Sequence, residues 1–176
     1  IRSSRSTTRT VSTATGWAIF NSRGLEAYGV IRPDGEDWRD RIVHQAPKIK
    51  DVIELYHPTK IVMEDVPLKA SGGLKILVLL GAVQGYFLGI ASSYGVPIEF
   101  VNPNTWRSTI GFYDGTNDGK KREVMKRKAV EYVNKEFGLN LKYVSSKSKK
   151  SEDDIAEAIC IGYSLIKLRR FGKSKE

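Results

Sequence analysis

Short apolar runs alternate with longer stretches of helical periodicity along the chain. Residues 17–20 and 24–31 are two such runs, and the turn residues 21–24 between them predict an antiparallel hairpin. Residues 60–65 and 97–101 are two further runs with helical patterns around them, and residues 60–65 in particular are typical of a buried parallel strand.

Four stretches have the spacing of helices, and local signals mark where helices begin and end. Pro47 interrupts the first stretch and is predicted to bend or break it. Asn102 and Pro103 indicate a further helix start, and Gly138 indicates a helix end. The stretches cover residues 36–57, 74–93, 119–137 and about 153–167. The order of elements predicts a mixed α/β sheet with an antiparallel start followed by parallel crossovers.

The most apolar stretch raises the question of a membrane span. Residues 76–91 are sixteen residues without a charge, fewer than the ~20 that a spanning helix needs. The stretch contains Gln84 and lacks aromatic residues at both ends, which favours a buried central helix. Gly81, Gly85 and Gly89 form a smooth strip on it, suited to close packing within the domain or across a dimer.

Length and composition limit the classes of protein. A chain of 176 residues corresponds to a single domain over 1–176, and 40% hydrophobic residues exclude global disorder. One cysteine and two histidines exclude an intrachain disulfide, a cysteine-based zinc site and a histidine-rich metal site. The first residues do not have the pattern of a signal peptide, so a cytoplasmic location is expected. Mobile segments are expected at 1–10, 142–151 and 168–176.

The positive charge is concentrated in one stretch. The net charge is +9, and residues 120–150 contain eleven Lys/Arg against three Glu. A concentrated basic segment favours binding to a phosphate backbone. The alternative is a solvated face that keeps the protein soluble.

Carboxylates stand at two places where they can converge. Glu64 ends a predicted buried strand, and Asp154 and Glu157 share one face of the last helix, as do Asp153 and Glu157. Carboxylates in this arrangement can hold one or two Mg²⁺ ions for hydrolysis at phosphate. Helix capping from Ser151 is the alternative for the first acids of the helix. It does not explain Glu157, which lies past the first turn among alanines and isoleucine.

Several motifs, taken in order, resemble a known family. The Thr-Gly-Trp segment at 15–20, the Ile-Val-Met-Glu-Asp-Val segment at 61–66 and the Asp-Ile-Ala-Glu-Ala-Ile segment at 154–159 carry the resemblance, with support from residues 73–85, 102–106 and 120–121. Together they are similar to RuvC-like Holliday junction resolvases, particularly the phage type, in the RNase H-like superfamily. The resemblance spans residues 15–163.

The resemblance implies an RNase H-like fold, with a mixed five-stranded sheet of three antiparallel strands followed by parallel strands, flanked by helices. It implies a homodimer that hydrolyses Holliday junctions or other branched DNA with Mg²⁺ or Mn²⁺. It places the catalytic, metal-holding carboxylates at Glu64, Asp154 and Glu157, with Asp153 as nearby support. We expect the phosphate contacts to come from the basic segment, through Lys120, Lys121, Arg122, Lys126 and Lys128. No membrane partner is expected.

One departure affects the catalytic set. The family has an Asp in its first strand, whereas Arg9 or Thr10 occupies that position here, and no acid precedes Glu26. An altered start or a site completed in another way would each account for this. Two other functions stay open on the same fold: a catalytically impaired protein that binds branched DNA, and an RNase H-like nuclease acting on RNA-containing substrates.

Overall fold

Four strands and five α-helices form the part of the chain that the structure describes. This computed structural model describes residues 14–66, 74–146 and 148–172. In chain order the elements are β1 (Thr15–Asn21), β2 (Gly24–Ile31), α1 (Trp38–Tyr56), β3 (Ile61–Glu64), α2 (Leu74–Ser93), β4 (Ile98–Val101), α3 (Pro103–Ile110), a 3₁₀ turn (Asp118–Lys120), α4 (Arg122–Phe137) and α5 (Asp153–Gly172).

The predicted hairpin is confirmed. β1 pairs antiparallel with β2, from Thr15 opposite Ile31 to Asn21 opposite Gly24. Gly24 has a φ of 126°, which glycine adopts without the steric cost that a side chain imposes, so it suits the turn. The register shifts once, between Ile19 and Phe20, where the strand bulges.

The second strand pair is parallel, as its apolar sequence and flanking helices predict. β3 pairs with β4 from Ile61 opposite Ile98 to Glu64 opposite Val101. Within the described residues the four strands form two separate two-stranded sheets, so the single five-stranded sheet is not seen there. The strand expected before Thr15 falls on residues outside the described ranges.

A cleft of about 1310 Å³ lies between the two sheets. Residues 14–20 of the first sheet and residues 60–66 of the second line it, together with one face of α5. β1 and β3 have no strand partner on their other edges among the described residues, because each belongs to a two-stranded sheet. Both pairs of strands therefore border the same open space.

Two hydrophobic cores flank this cleft. The larger core packs α3, α4 and α5 together around Trp106, Val133 and Ile159, each at most 1% exposed. The smaller core joins α1 and α2 through Ile53 and Phe87. α1 is continuous through Pro47, so the predicted break is wrong: proline removes one backbone donor, and helical bonds and packing on either side maintain the helix.

Helix boundaries follow the local signals closely. The Asn102 side chain accepts a hydrogen bond from the Asn104 backbone N–H, and Pro103 is the first residue of α3, as predicted. Gly138 ends α4 in the left-handed conformation, with a φ of 66°. α4 begins later than predicted, after the 3₁₀ turn, and α5 extends beyond its predicted end.

The outer face of α2 carries exposed hydrophobic residues that the rest of the described chain leaves uncovered. Leu74, Val78 and Leu88 are large exposed hydrophobic residues, and an added Cβ at Gly81, Gly85 or Gly89 would meet nothing within 4 Å. The glycine strip therefore packs against no other described part of the chain. None of the described helices combines the length and apolar character needed to cross a membrane.

Candidate metal centre

Three carboxylates meet at the N-terminal end of α5. One oxygen atom from each of Asp153, Asp154 and Glu157 lies within 4.8 Å of those of the other two. The helical spacing of three and four residues produces this convergence, as predicted. The first two acids also stand in the first turn of α5, where the helix dipole favours negative charge.

A buried lysine from α4 lies against all three carboxylates. The Lys126 ammonium donates to Asp153, and its Nζ lies 3.4 Å from Asp154 Oδ1 and 3.5 Å from Glu157 Oε2. Lys126 is 6% exposed and Asp153 is 4% exposed, so this pair is shielded from water. Burial by itself lowers the pKa of Lys126, but the charges of Glu157 and the aspartates outweigh it and the pKa is raised. The lysine is therefore held in its charged form.

The surroundings of Glu157 disfavour the charged form of its carboxyl group. Burial raises its pKa, the Lys126 and Arg107 charges lower it, and the nearby Glu64 and Asp154 raise it further, with a net upward shift. The residues beside it in α5 are tightly packed, since Ala156, Ile159 and Cys160 are fully buried in the larger core. This packing fixes the helix that presents the carboxylates.

Glu64 lies at the end of β3 and borders the same cleft. Its Oε1 accepts from Trp106 Nε1 at 2.9 Å and from Arg107 at 3.3 Å. The Gln84 amide donates to the Glu64 backbone carbonyl at 2.8 Å, which ties α2 to the strand end. Its influence on the pKa of Glu157 shows that Glu64 belongs to the same electrostatic site.

Trp106 and Arg107 are site residues that the sequence reasoning missed. The Trp106 indole is buried, so its N–H needs an acceptor, and Glu64 supplies one. The Arg107 guanidinium stacks over the Trp106 ring at 4.8 Å, and its buried Nε has no hydrogen-bond partner among the described residues. The signal in the sequence was the well-marked start of α3, which places both side chains one turn into the helix.

Gly16 fixes the position of α5 against the hairpin. An ideal Cβ at this position would lie 1.8 Å from the Asp154 carbonyl oxygen, a backbone atom. Real Cβ atoms essentially never come within 3.0 Å of another atom, so only glycine permits this approach. The Thr-Gly step of β1 therefore sets how closely the acidic turn of α5 approaches the sheet.

The predicted phosphate contacts divide into two groups. Lys120, Lys121 and Arg122 are exposed, and Lys120 and Arg122 border the cleft that contains the acids. Lys121 pairs with Asp118 at 2.7 Å. Their contact with DNA stays a prediction.

Lys126 and Lys128 both donate hydrogen bonds to aspartates of the same chain. Lys126 is buried against the acidic cluster, although it also lines the cleft, and its predicted contact with DNA stays a prediction. Lys128 donates to the Phe112 carbonyl at 2.9 Å and to Asp114 at 2.7 Å. The hydrogen bond from Lys128 and those from Thr116 hold the pKa of Asp114 well below its usual range.

The segment before α5 has specific contacts. The Ser151 hydroxyl accepts from the Val144 and Ser145 backbone N–H groups, and Glu152 accepts from the Lys142 N–H at 2.8 Å. Ser151 is thus used to close the loop at 144–145. Arg9 and Thr10 lie outside the described residues, as do 173–176.

The donor set fits a divalent metal. Three converging carboxylates offer the hard oxygen ligands that Mg²⁺ and Mn²⁺ take. The Lys126 ammonium already lies among the three acids and neutralises part of their charge. Asp154 and Glu157 face the cleft with Glu64, whereas Asp153 does not border it.

Known proteins resemble this chain in sequence and in fold. No family model matches it. The crossover junction endodeoxyribonuclease RuvC of Ruegeria pomeroyi is 27% identical over 154 residues, covering 84% of this chain and 84% of the relative. The enzyme of the same name from Nitratidesulfovibrio vulgaris is 26% identical over 117 residues, covering 64% of this chain and 68% of the relative.

Solved structures give the same result at the level of fold. Thermus thermophilus RuvC aligns with a TM-score of 0.61 and 18% identity, covering 91% of each chain. The T. thermophilus RuvC in complex with Holliday junction substrate aligns with a TM-score of 0.61 and 15% identity, covering 88% of this chain and 86% of that one. The resemblance predicted from the sequence motifs is therefore confirmed, and the chain is RuvC-like in sequence and in fold.

Proposed function

We propose that this protein is a metal-dependent endonuclease that cleaves Holliday junctions or other branched DNA by phosphodiester hydrolysis. One observation carries the proposal: acids from β3 and α5 meet in a cleft bordered by basic residues, on a chain that is RuvC-like over most of its length. Metal-dependent hydrolysis of a phosphodiester uses this combination. Basic side chains bind the charge of the phosphate, and carboxylates hold the metal that activates water.

The residues divide into roles by position. Asp154 and Glu157, with Glu64 across the cleft, would hold Mg²⁺ or Mn²⁺, which when bound supplies a water nucleophile and neutralises charge on the phosphate. Trp106 and Arg107 orient Glu64 through their bonds to its Oε1. Lys120 and Arg122, at the border of the cleft, would bind the phosphates of the strand being cut.

A five-stranded RNase H-like sheet is part of the proposal. A fifth strand placed in the cleft would pair with β1 on one side and β3 on the other, since both edges border that space. It would join the two sheets into one. The resemblance places the family's Asp on this strand, whereas this sequence has Arg9 or Thr10 at that position.

A homodimer is also part of the proposal, and α2 provides the surface. Its exposed leucines and its open glycine strip are suited to a second copy of this chain. Two copies would present two clefts, one for each strand cut in a four-way junction. A cytoplasmic location is consistent with this function.

A second candidate function is a catalytically impaired protein that binds branched DNA. Arg9 or Thr10 where the family has Asp favours it, because a metal centre lacking one carboxylate cleaves slowly if at all. Both functions predict tight binding of a four-way junction, and they differ in cleavage.

The test compares binding and cleavage of a synthetic four-way junction with Mg²⁺ or Mn²⁺. We expect Glu64→Gln to lower the cleavage rate by at least about a hundredfold, while the Kd for the junction, measured without metal, changes by less than about threefold. Ser108→Ala, in the same helix as Trp106 but exposed, is the control. Parallel loss of binding and cleavage in Glu64→Gln would contradict the assignment of Glu64.

The same assay separates the two candidate functions and the RNA alternative. Cleavage that appears only in Arg9→Asp or Thr10→Asp would establish an intact scaffold with an altered start. Binding without cleavage in every version would support the impaired protein. Faster cleavage of an RNA–DNA hybrid than of the junction would overturn the junction assignment.

A further inference from the structure

The buried Lys126–Asp153 pair stands apart from the other groups at the acidic cluster. Lys126 has three N–H donors, and it meets three carboxylates, with its closest contact to Asp153. The side chain of Asp153 is 6% exposed, whereas those of Asp154 and Glu157 are 34% and 23% exposed. The lysine thus has one enclosed partner and two partners that solvent can reach.

We propose that the Lys126 ammonium is the resident cation of this site, competing with the divalent metal for Asp154 and Glu157, and that Asp153 is a positioning residue that anchors the lysine. The inference rests on the proposed metal-dependent function and refines its ligand set. Asp153 then serves the site through Lys126 and does not bind the metal.

Charge and geometry carry the argument. The oxygens of the three acids lie within 4.8 Å of one another, so one small volume is shared by whatever cation they hold. An ammonium 3.4–3.5 Å from Asp154 and Glu157 occupies part of it. A divalent ion on the same two carboxylates would be repelled by that charge at short range. Metal binding therefore requires the ammonium to withdraw toward Asp153.

Without metal, the lysine has a second consequence. Asp154 and Glu157 would repel each other and Glu64 if nothing neutralised them, and Lys126 reduces that repulsion from within the packed interface of α4 and α5. The apo-site is thereby kept assembled at the expense of metal affinity. The metal concentration at which the site fills is set by this competition.

The experiment measures Mn²⁺ binding by calorimetry, and by electron paramagnetic resonance of free Mn²⁺, without DNA. We expect Lys126→Met to lower the Kd for Mn²⁺ by about tenfold or more, because a unit charge leaves the site. Lys135→Met, the same change at an exposed position of α4, should leave the Kd unchanged. An unchanged or higher Kd in Lys126→Met would overturn the resident-cation assignment.

The double variant Lys126→Met/Asp153→Asn tests the role of Asp153 and guards against unfolding. It removes both partners of the buried pair, which proteins tolerate better than the loss of one. We expect it to bind Mn²⁺ as tightly as Lys126→Met. A Kd for Mn²⁺ equal to or higher than that of the wild type would show that Asp153 is itself a ligand. That result would overturn its positioning role.

Asp154→Asn distinguishes failure of this inference from failure of the proposed function. If Asp154→Asn abolishes Mn²⁺ binding and Lys126→Met leaves the Kd unchanged, the metal site is supported. The competition between Lys126 and the metal is then overturned. Absence of Mn²⁺ binding in the wild type and in every variant would overturn both. Thermal melting gives a second readout: Lys126→Met should melt lower than the wild type without metal and gain more from added Mn²⁺.

Discussion

The two ends of the first basic run, 120–122 and 126–128, use the same residue types in opposite ways. Lys120, Lys121 and Arg122 are exposed before and at the start of α4. Lys126, one turn further along α4, is buried among carboxylates, and Lys128 forms an ion pair with Asp114. The eleven Lys and Arg residues of 120–150 therefore overstate how many cations this segment presents to solvent. Lysines of the same run thus differ in burial, so sequence alone does not tell which of them a ligand can reach.

The largest effect is expected on folding stability, when one charge is removed at each end of the run. Lys126→Met should lower the free energy of unfolding by about 3–5 kcal/mol, because it leaves the buried Asp153 carboxylate unpaired. Lys121→Met should change it by less than about 1 kcal/mol, because the ion pair of Lys121 with Asp118 is exposed to solvent. Urea unfolding without metal measures both. Equal effects would show that the two ends are not distinct.

For DNA binding, we expect the exposed end of the run to matter more than the buried end. Lys120→Ala/Lys121→Ala should weaken four-way junction binding about tenfold and reduce the slope of log K against log salt by about 2. Lys135→Ala, further along α4, is the matched control. Titrations at several salt concentrations give the slopes. A slope that does not change would remove the two lysines from the interface.

The smallest expected effect concerns Lys128. The bond from Lys128 lowers the pKa of Asp114, so the pair contributes stability above the usual Asp pKa of about 4, and that contribution is lost as pH falls through the folded-state value. Lys128→Met should slightly lower the melting temperature at pH 7, and its difference from the wild type should shrink as pH falls below about 4. Melting curves from pH 7 to pH 2 test this. A constant difference at all pH values would contradict it.

Local patterns predicted the elements well because their causes are local. The hairpin follows from turn residues between apolar runs, and α3 begins where Asn102 caps it. The convergence of Asp153, Asp154 and Glu157 also follows from spacing along one helix. Each of these features is determined by a few residues that are neighbours in the sequence, so the sequence alone predicts it.

Contacts between distant residues could not be predicted in this way. Lys126 meets Asp153 across 27 positions, and Glu64 meets Trp106 across 42. A lysine at position 126 has the same sequence signal as its exposed neighbours, since only the packing of α4 against α5 buries it. The expectation of one five-stranded sheet came from resemblance, and the described strands form two separate pairs.

The close approach of Gly16 to Asp154 constrains which sequences this scaffold can accept. Any side chain at position 16 would have to push α5 away from β1, from 1.8 Å to beyond 3.0 Å at the nearest atoms. A misplacement of about an ångström in a reaction centre can reduce a rate about a hundredfold. Redesign or directed evolution of this protein must therefore keep glycine at position 16, because the helix that carries the acids packs directly on its backbone.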